Sequence, residues 1–353
     1  MRRPRVKPEH QPYRSGERTI RIGGEIYGLA SEISDPYGCA WAALELMDGS
    51  RDRQEVVECL RRRFPGRDVE GVVDTLLASG HVEDADAPVP EQLNARQRTR
   101  YSRNADYFRW IDLRPREHRW EPQLRLRRSR VVVLGMGGTG CHAAWALAAA
   151  GVGAIHCVDP DEVELSNLNR QMLFGEADIG RAKVEAALAR MREINSDIEI
   201  TGEIRRIGSQ EELAELIAGC DVLALCADEP RVQGGIRRWA NRASAAAGIP
   251  WVGGGYAGPQ VSVGVFAPGY PCFECFLAEG KERGHVTDFA WPGVIATSAG
   301  ISGLLVAQGV ITLLTGVPEV PPGYVHGVNL VAPDDHVYVR YPSRGDCVVC
   351  GRD

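Results

Sequence analysis

The stretch from Val131 to Lys183 constrains this chain more than any other. It opens VVVLGMGGTGCHAAWALAAAGV, continues AIHCVDPDEVELSNLNRQ and closes with GRAK. The apolar run Val131–Leu134 predicts a buried strand. Gly135, Gly137, Gly138 and Gly140 then turn the chain into a helix that ends near Gly151–Gly153. A second apolar run, Ala154–Val158, stops on the acids Asp159 and Asp161.

Strand, glycine loop, helix and acid-tipped strand make a Rossmann arrangement. The glycines let backbone N–H groups approach phosphates at a helix N-terminus, and the acid takes ribose hydroxyls. By themselves they name a nucleotide and no reaction, since a dehydrogenase shares them. The residues after the acids are more informative. Asn167, Asn169, Arg170 and Gln171 come soon after them, and Lys183 is expected a turn and a half into the next helix. Hydride transfer needs no Arg and Lys converging on phosphates. Splitting a triphosphate does, because pyrophosphate leaves with several negative charges. The stretch therefore reads as an ATP site.

The chain has 353 residues, room for one large domain and a small one. A net charge of −6 gives no reason to expect nucleic acid or a membrane surface as partner. The basic N-terminus MRRPRVKPEHQPYR has no apolar run after it, so no export signal is expected. One run, Ala299 to Val317, approaches the length of a membrane span but contains Ser302, Gln308 and several glycines. It is expected to be a buried helix, at a dimer interface. Ten cysteines in a large chain with no export signal do not form a secreted disulfide framework, which points to the cytoplasm.

Residues 1–16 are polar and Arg-rich and are expected to be a disordered tail. A small domain is expected over 17–86. Thr19–Ile22 and Glu25–Leu29 flank Gly23-Gly24 as a hairpin. Helices are expected from Asp35 to Met47, Arg51 to Arg63 and Val69 to Ser79, with Gly80 as a C-cap and residues 81–83 as a closing strand. That order of elements resembles a winged helix, whose common use is reading DNA. Residues 17–86 carry 8 basic and 15 acidic residues, a net of −7, the wrong sign for DNA. The order also resembles the PqqD-like leader-peptide recognition domain, which adds an extended peptide to a sheet edge. Residues 87–130 form a basic connector, with twelve arginines between Arg96 and Arg130.

Beyond the ATP stretch, strands are expected at Ile198–Ile204, Asp221–Cys226, Ile249–Val252 and Val261–Phe266, with helices at Glu211–Ala218 and Val232–Ala247. Asp228 follows the second of these strands. An acid at the C-terminal end of a parallel strand faces the ligand crevice, so Asp228 is a candidate Mg²⁺ ligand and equally a cap for the next helix. Gly253-Gly254-Gly255 marks a place where the backbone comes close to something. Cys272-x-x-Cys275 and Cys347-x-x-Cys350 lie 72 positions apart. Four thiolates complete a tetrahedral zinc shell with no open position, which makes a structural zinc. The rival reading, a redox dithiol, needs only one pair, and neither pair starts a helix after a strand.

Together and in this order, the glycine loop, the run Ser166 to Gln171, Lys183, Asp228 and both cysteine pairs resemble the ThiF/MoeB-like enzymes, adenylating relatives of the ubiquitin-activating enzymes. The resemblance covers about Arg100 to the C-terminus. Within that family the chain resembles enzymes that adenylate a short peptide. Those carry a small N-terminal peptide-binding domain, an Arg-Tyr-Ser-Arg-Asn segment as at 100–104, and a Cys-x-x-Cys-Gly ending as at 347–351.

The resemblance implies an α/β fold, a Rossmann-like doubly wound sheet over 131–353 behind the small PqqD-like domain. It implies that Gly135, Gly137, Gly138 and Gly140 cradle phosphates and that Asp159, with Asp161, holds the ribose. It places Asn167, Arg170, Gln171 and Lys183 on the triphosphate and Mg²⁺ on Asp228. Arg103 would reach across a homodimer into the partner's site; on sequence alone it is one arginine in a basic stretch. The implied reaction is attack of a substrate carboxylate on the ATP α-phosphate, with pyrophosphate leaving. Relatives that go on to a thioester carry a cysteine after the first Cys-x-x-Cys. Phe276 to Thr297 has none here, and Cys141 is expected to pack against the sheet.

The leading expectation is an ATP-dependent adenylyltransferase acting on a ribosomally made precursor peptide, gripped through the N-terminal domain. The alternatives are activation of a ubiquitin-like sulfur carrier, a non-catalytic leader-peptide-binding partner of a cyclodehydratase, and, residually, an NAD dehydrogenase.

Overall fold

The two strands expected of the glycine-loop stretch lie side by side in an eight-stranded sheet in a computed structural model, which describes residues 2–228, 235–282 and 293–351. The chain divides into two units, Met1–Leu124 and Arg125–Asp353.

The first unit begins with β1 (Pro4–Val6), β2 (Tyr13–Gly16), β3 (Thr19–Ile22) and β4 (Ser31–Ser34). Three helices come next, α1 (Cys39–Leu46), α2 (Arg53–Arg63) and α3 (Val69–Ala78), then β5 (Val82–Asp84). The expected disordered tail is not disordered. β1 pairs antiparallel with β5, β2 pairs with β3, and Val6 joins the core of the unit. Two polar residues of that segment are buried with partners: Lys7 Nζ donates to the Asp112 carbonyl at 2.6 Å, and His10 Nε2 lies 2.7 Å from the Trp110 carbonyl oxygen. Composition therefore misjudged the tail, because its ordering rests on bonds to residues about a hundred positions away.

The hairpin partner of β3 is also corrected. It is β4, not Glu25–Leu29, because Gly23, Gly24 and Gly28 all take positive φ and curl residues 23–30 into a loop. A Cβ on Gly23 would overlap the Leu29 carbonyl oxygen. The helix starts have clear local causes. Asp35 accepts from the Ala40 and Trp41 amides at 3.1 and 3.0 Å, and Asp52 and Glu55 form a capping box on α2. Two further helices, α4 (Ala95–Arg100) and α5 (Ser102–Ile111), carry a small core of Leu93, Tyr101, Ala105, Trp120 and Leu124, so much of the basic connector is folded. α6 (Glu121–Arg128) spans the boundary between the units.

The second unit runs β6 (Arg130–Leu134), α7 (Gly138–Ala150), β7 (Ala154–Val158), α8 (Lys183–Ile194), β8 (Glu199–Glu203), α9 (Gln210–Ile217) and β9 (Val222–Leu225). It continues α10 (Gly235–Ala247), β10 (Trp251–Ala257), β11 (Gln260–Phe266), α11 (Phe273–Glu282), α12 (Ala296–Thr315), β12 (Tyr324–Asn329) and β13 (His336–Arg340). Residues 232–234 of the expected Val232–Ala247 helix lie outside the described residues, as do 283–292 of the cysteine-free segment.

Spatial strand order is β13-β12-β11-β10-β9-β6-β7-β8. The five from β10 to β8 are parallel, and β11, β12 and β13 extend the sheet antiparallel. Order reverses between β6 and β9, which opens a ligand crevice beyond their C-terminal ends. α12 is long and apolar enough to cross a membrane by length and composition, but half of its most apolar window is buried within the fold. It packs on α7, where Gly303 sits so close that a Cβ would meet the Thr139 carbonyl and the His142 side chain.

Candidate active site

The crevice is built from the glycine loop upward. Gly135 (φ +96°) turns the chain out of β6, and a Cβ there would stand 2.6 Å from the Ala227 nitrogen at the end of β9. A Cβ on Gly140 would overlap the Gly135 carbonyl oxygen, and one on Gly138 would press on Ala299 and Arg170. Gly137 differs, because a Cβ there would meet nothing within 4 Å. It is the N-cap of α7, with no side chain capping the helix. The first turn thus offers backbone N–H groups to an open space, the geometry that binds phosphate.

Asp159 and Asp161 have distinct jobs in the fold. Asp159 is almost fully buried; its Oδ2 accepts the Met136 N–H at 2.6 Å and its Oδ1 the Asp161 N–H at 2.9 Å. Burial raises its pKa, opposed by nearby Lys183 and by those two N–H donors. Asp161 pairs with Lys183, Oδ2 to Nζ at 3.0 Å, and its carbonyl accepts the Lys183 N–H at 2.9 Å. That backbone bond fixes where α8 begins. Lys183 is its first residue, not a turn and a half in, because residues 176–182 are a short 3₁₀ turn and loop.

Asn167 and Gln171 are buried. Asn167 Oδ1 accepts the Glu164 N–H at 3.0 Å, and its carbonyl accepts the amides of Arg170 and Gln171. Gln171 Oε1 finds no hydrogen-bond partner among the described residues, so a buried acceptor is left for something the protein chain does not supply. Arg170 Nη1 donates to the Ser166 carbonyl and to Asn169 Oδ1, at 2.9 and 2.8 Å. Asp228, exposed, follows β9. Cys141 is fully buried on α7, and burial drives its thiol far above the ordinary range, as expected of a packing residue and not of a nucleophile.

Two residues that the sequence patterns do not single out stand at this crevice. Tyr256 stands at the end of β10; burial raises the pKa of its phenol, which nearby Arg170 opposes and Asp228 reinforces. Arg237 of α10 donates to the Gly254 carbonyl at 2.9 Å. Here the glycine triplet finds its close neighbours: Cβ atoms would meet the Trp251 ring at Gly253, Val306 and Ser302 at Gly254, and the Arg237 guanidinium at Gly255. The strand-end position of Tyr256 was the available signal; for Arg237 there was none. Arg103 lies in the first unit, exposed on the first turn of α5, while its neighbours Tyr101 and Asn104 are anchored.

The four cysteines converge. The Sγ atoms of Cys272, Cys275, Cys347 and Cys350, all free thiols, lie within 4.8 Å of one another, with Cys272–Cys275, Cys272–Cys347 and Cys275–Cys350 at 3.9, 3.6 and 3.4 Å. Tetrahedral Zn–S bonds of about 2.3 Å would set sulfurs roughly 3.8 Å apart, so the cluster fits zinc. The surroundings fit as well. Asn241, 2% exposed, accepts the Phe273 N–H at 3.0 Å. Its buried Nδ2 finds no hydrogen-bond partner among the described residues.

Comparison with known proteins agrees with this geometry. The ThiF family model matches residues 101–344. The SAMP-activating enzyme E1 of Haloferax volcanii is 34% identical over 233 residues, 65% of this chain and 83% of that protein. The molybdopterin-synthase adenylyltransferase of Escherichia coli is 34% identical over 237 residues, 66% of this chain and 91% of that protein. Among solved structures, E. coli MccB with ATP superposes with a TM-score of 0.76 at 21% identity, covering 99% of each chain. The chain belongs to the ThiF family and is an adenylyltransferase of that family.

Proposed function

We propose that this enzyme adenylates a carboxylate of a ribosomally made peptide and that its first unit grips that peptide. One observation carries the reading. The likeness to MccB, whose structures include complexes with MccA, extends over 99% of the chain and so includes the first unit. The sulfur-carrier-type relatives match about two-thirds of the chain. The first unit suits a peptide. β2 and β4 end its three-stranded sheet with one neighbour each, leaving edges an extended peptide can join. The acidic balance of residues 17–86 favours a basic segment.

In the reaction so proposed, Mg²⁺ on Asp228 would offset phosphate charge. The open first turn of α7 receives phosphate oxygens through its amides. Arg170 and Lys183 neutralise the departing pyrophosphate, Lys183 turning from Asp161 to do so. Asp159 and Asp161 take ribose hydroxyls, Asn167 holds the Arg170 turn, and Gln171 offers its unpartnered acceptor. Arg103 would complete the site across a homodimer. Zinc would pin the C-terminal segment to α11 and take no part in the chemistry.

Pyrophosphate exchange tests the reading. Exchange should depend on a candidate precursor peptide and not on a carrier protein ending Gly-Gly. Robust exchange with the carrier and none with any peptide would overturn it in favour of sulfur-carrier activation, the reading that the sequence relatives favour.

A further inference from the structure

A cavity of about 480 Å³ lies in the second unit, at the edge of the sheet opposite the nucleotide crevice. Trp251 starts β10 and Phe266 ends β11; the two pair across the strands, and their rings stack with centroids 4.8 Å apart. Both rings line the cavity. β10 runs parallel to β9, so they stand away from the C-terminal strand ends where the glycine loop lies. A second wall comes from residues 343–350, the segment that carries the second cysteine pair. None of the residues assigned to the nucleotide lines this cavity.

Asn241 and Ser244 of α10 belong to the same lining. Three residues apart on a helix, they share one face. They are 2% and 1% exposed. Asn241 Oδ1 is occupied by the Phe273 N–H, but neither Asn241 Nδ2 nor Ser244 Oγ has a hydrogen-bond partner among the described residues. Buried polar groups are nearly always paired, so two orphans on one cavity wall are an unmet demand for a ligand's polar edge. A cavity of this size, with aromatic walls and a few polar groups, suits a small molecule. Its one charged lining residue, Arg344, is already paired with Glu282 and Asp346, which leaves no free charge for an ionic ligand.

We propose that this cavity binds a small, flat, neutral molecule that carries an amide or lactam group. The ring of that molecule packs on the Trp251–Phe266 wall, its carbonyl accepts from Asn241 Nδ2, and its N–H donates to Ser244 Oγ. Binding here is independent of the proposed adenylation. The Trp251 ring also covers Gly253, 2.7 Å from where a Cβ would stand, so the occupant rests on the strand that leads to the crevice.

The test is a ligand-observed NMR titration of the full chain with carbostyril, a flat bicyclic lactam, and with N-methylcarbostyril, which lacks the N–H. Carbostyril should bind saturably with a Kd below about 1 mM, and the N-methyl compound about fivefold more weakly. In Ser244→Ala the two should bind alike, and the melting temperature should match wild type, since the hydroxyl has no partner to lose. Ala245→Trp, which puts an indole into the lining, should abolish binding. No saturable binding of carbostyril, equal binding of both compounds to the wild-type chain, or a preference that survives Ser244→Ala would overturn the proposal. A Ser244→Ala protein that melted several degrees lower would make the hydroxyl a group of the fold and overturn it as well.

Discussion

Asp159 Oδ2 accepts the Met136 N–H at 2.6 Å, so the acid that ends β7 braces the glycine loop that follows β6. The loop's shape therefore depends on a carboxylate from the neighbouring strand as well as on its own glycines. Asp159→Ala should cost about 1–3 kcal/mol of stability, because two backbone N–H groups lose a buried acceptor. Asp161→Ala removes an exposed partner and should cost under about 1 kcal/mol. Urea unfolding of the two variants checks the contrast.

The glycines of the loop should separate in the same way. Gly140→Ala forces a methyl onto the Gly135 carbonyl oxygen and should reduce stability by several kcal/mol or prevent folding. Gly137→Ala meets open space, so the melting temperature should stay near wild type. Its methyl would stand at the open helix N-terminus and should weaken ATP binding about tenfold or more. Thermal melts and calorimetric titration distinguish the two behaviours.

How far these features could be read from sequence differs by kind. The glycine loop, the acid-tipped strand and the cysteine pairs are local patterns whose chemistry restricts what they can be, so their positions were legible. Tyr256 was not, since its place depends on β10 lying beside β9. The ordered N-terminal segment was not, since Lys7 and His10 find their partners at Asp112 and Trp110. Lys183 was recognised as a residue but misplaced on its helix, because nothing local announces the 3₁₀ turn and loop before it.

The buried His10 makes stability of the first unit pH-dependent. Burial holds its pKa down at about 4, against an ordinary value of 6.5. Between those values the unfolded chain binds the extra proton and the folded one does not. Stability is therefore fully present above about pH 6.5 and is lost as pH falls toward 4, by roughly 2–3 kcal/mol. His81 packs against His10, and burial lowers its pKa too, so His10→Gln should reduce that dependence without abolishing it. Denaturant melts at pH 7.5 and pH 5, together with amide protection in β1 and β5, measure it.

The cysteine cluster should hold one zinc per chain by elemental analysis. Cys347→Ser should release it and lower the melting temperature. Metal-free protein that melts like wild type would show that the four thiols hold no structural ion.

The central claim is that a peptide carboxylate attacks the ATP α-phosphate. A peptide carrying ¹⁸O in that carboxylate, incubated with enzyme, Mg²⁺ and ATP, reports on it most directly. The account predicts pyrophosphate as the first product and, once the adenylate is cleaved at its acyl carbon, ¹⁸O in the phosphate of the AMP released. Label retained wholly in the peptide, or ADP in place of AMP and pyrophosphate, would contradict it.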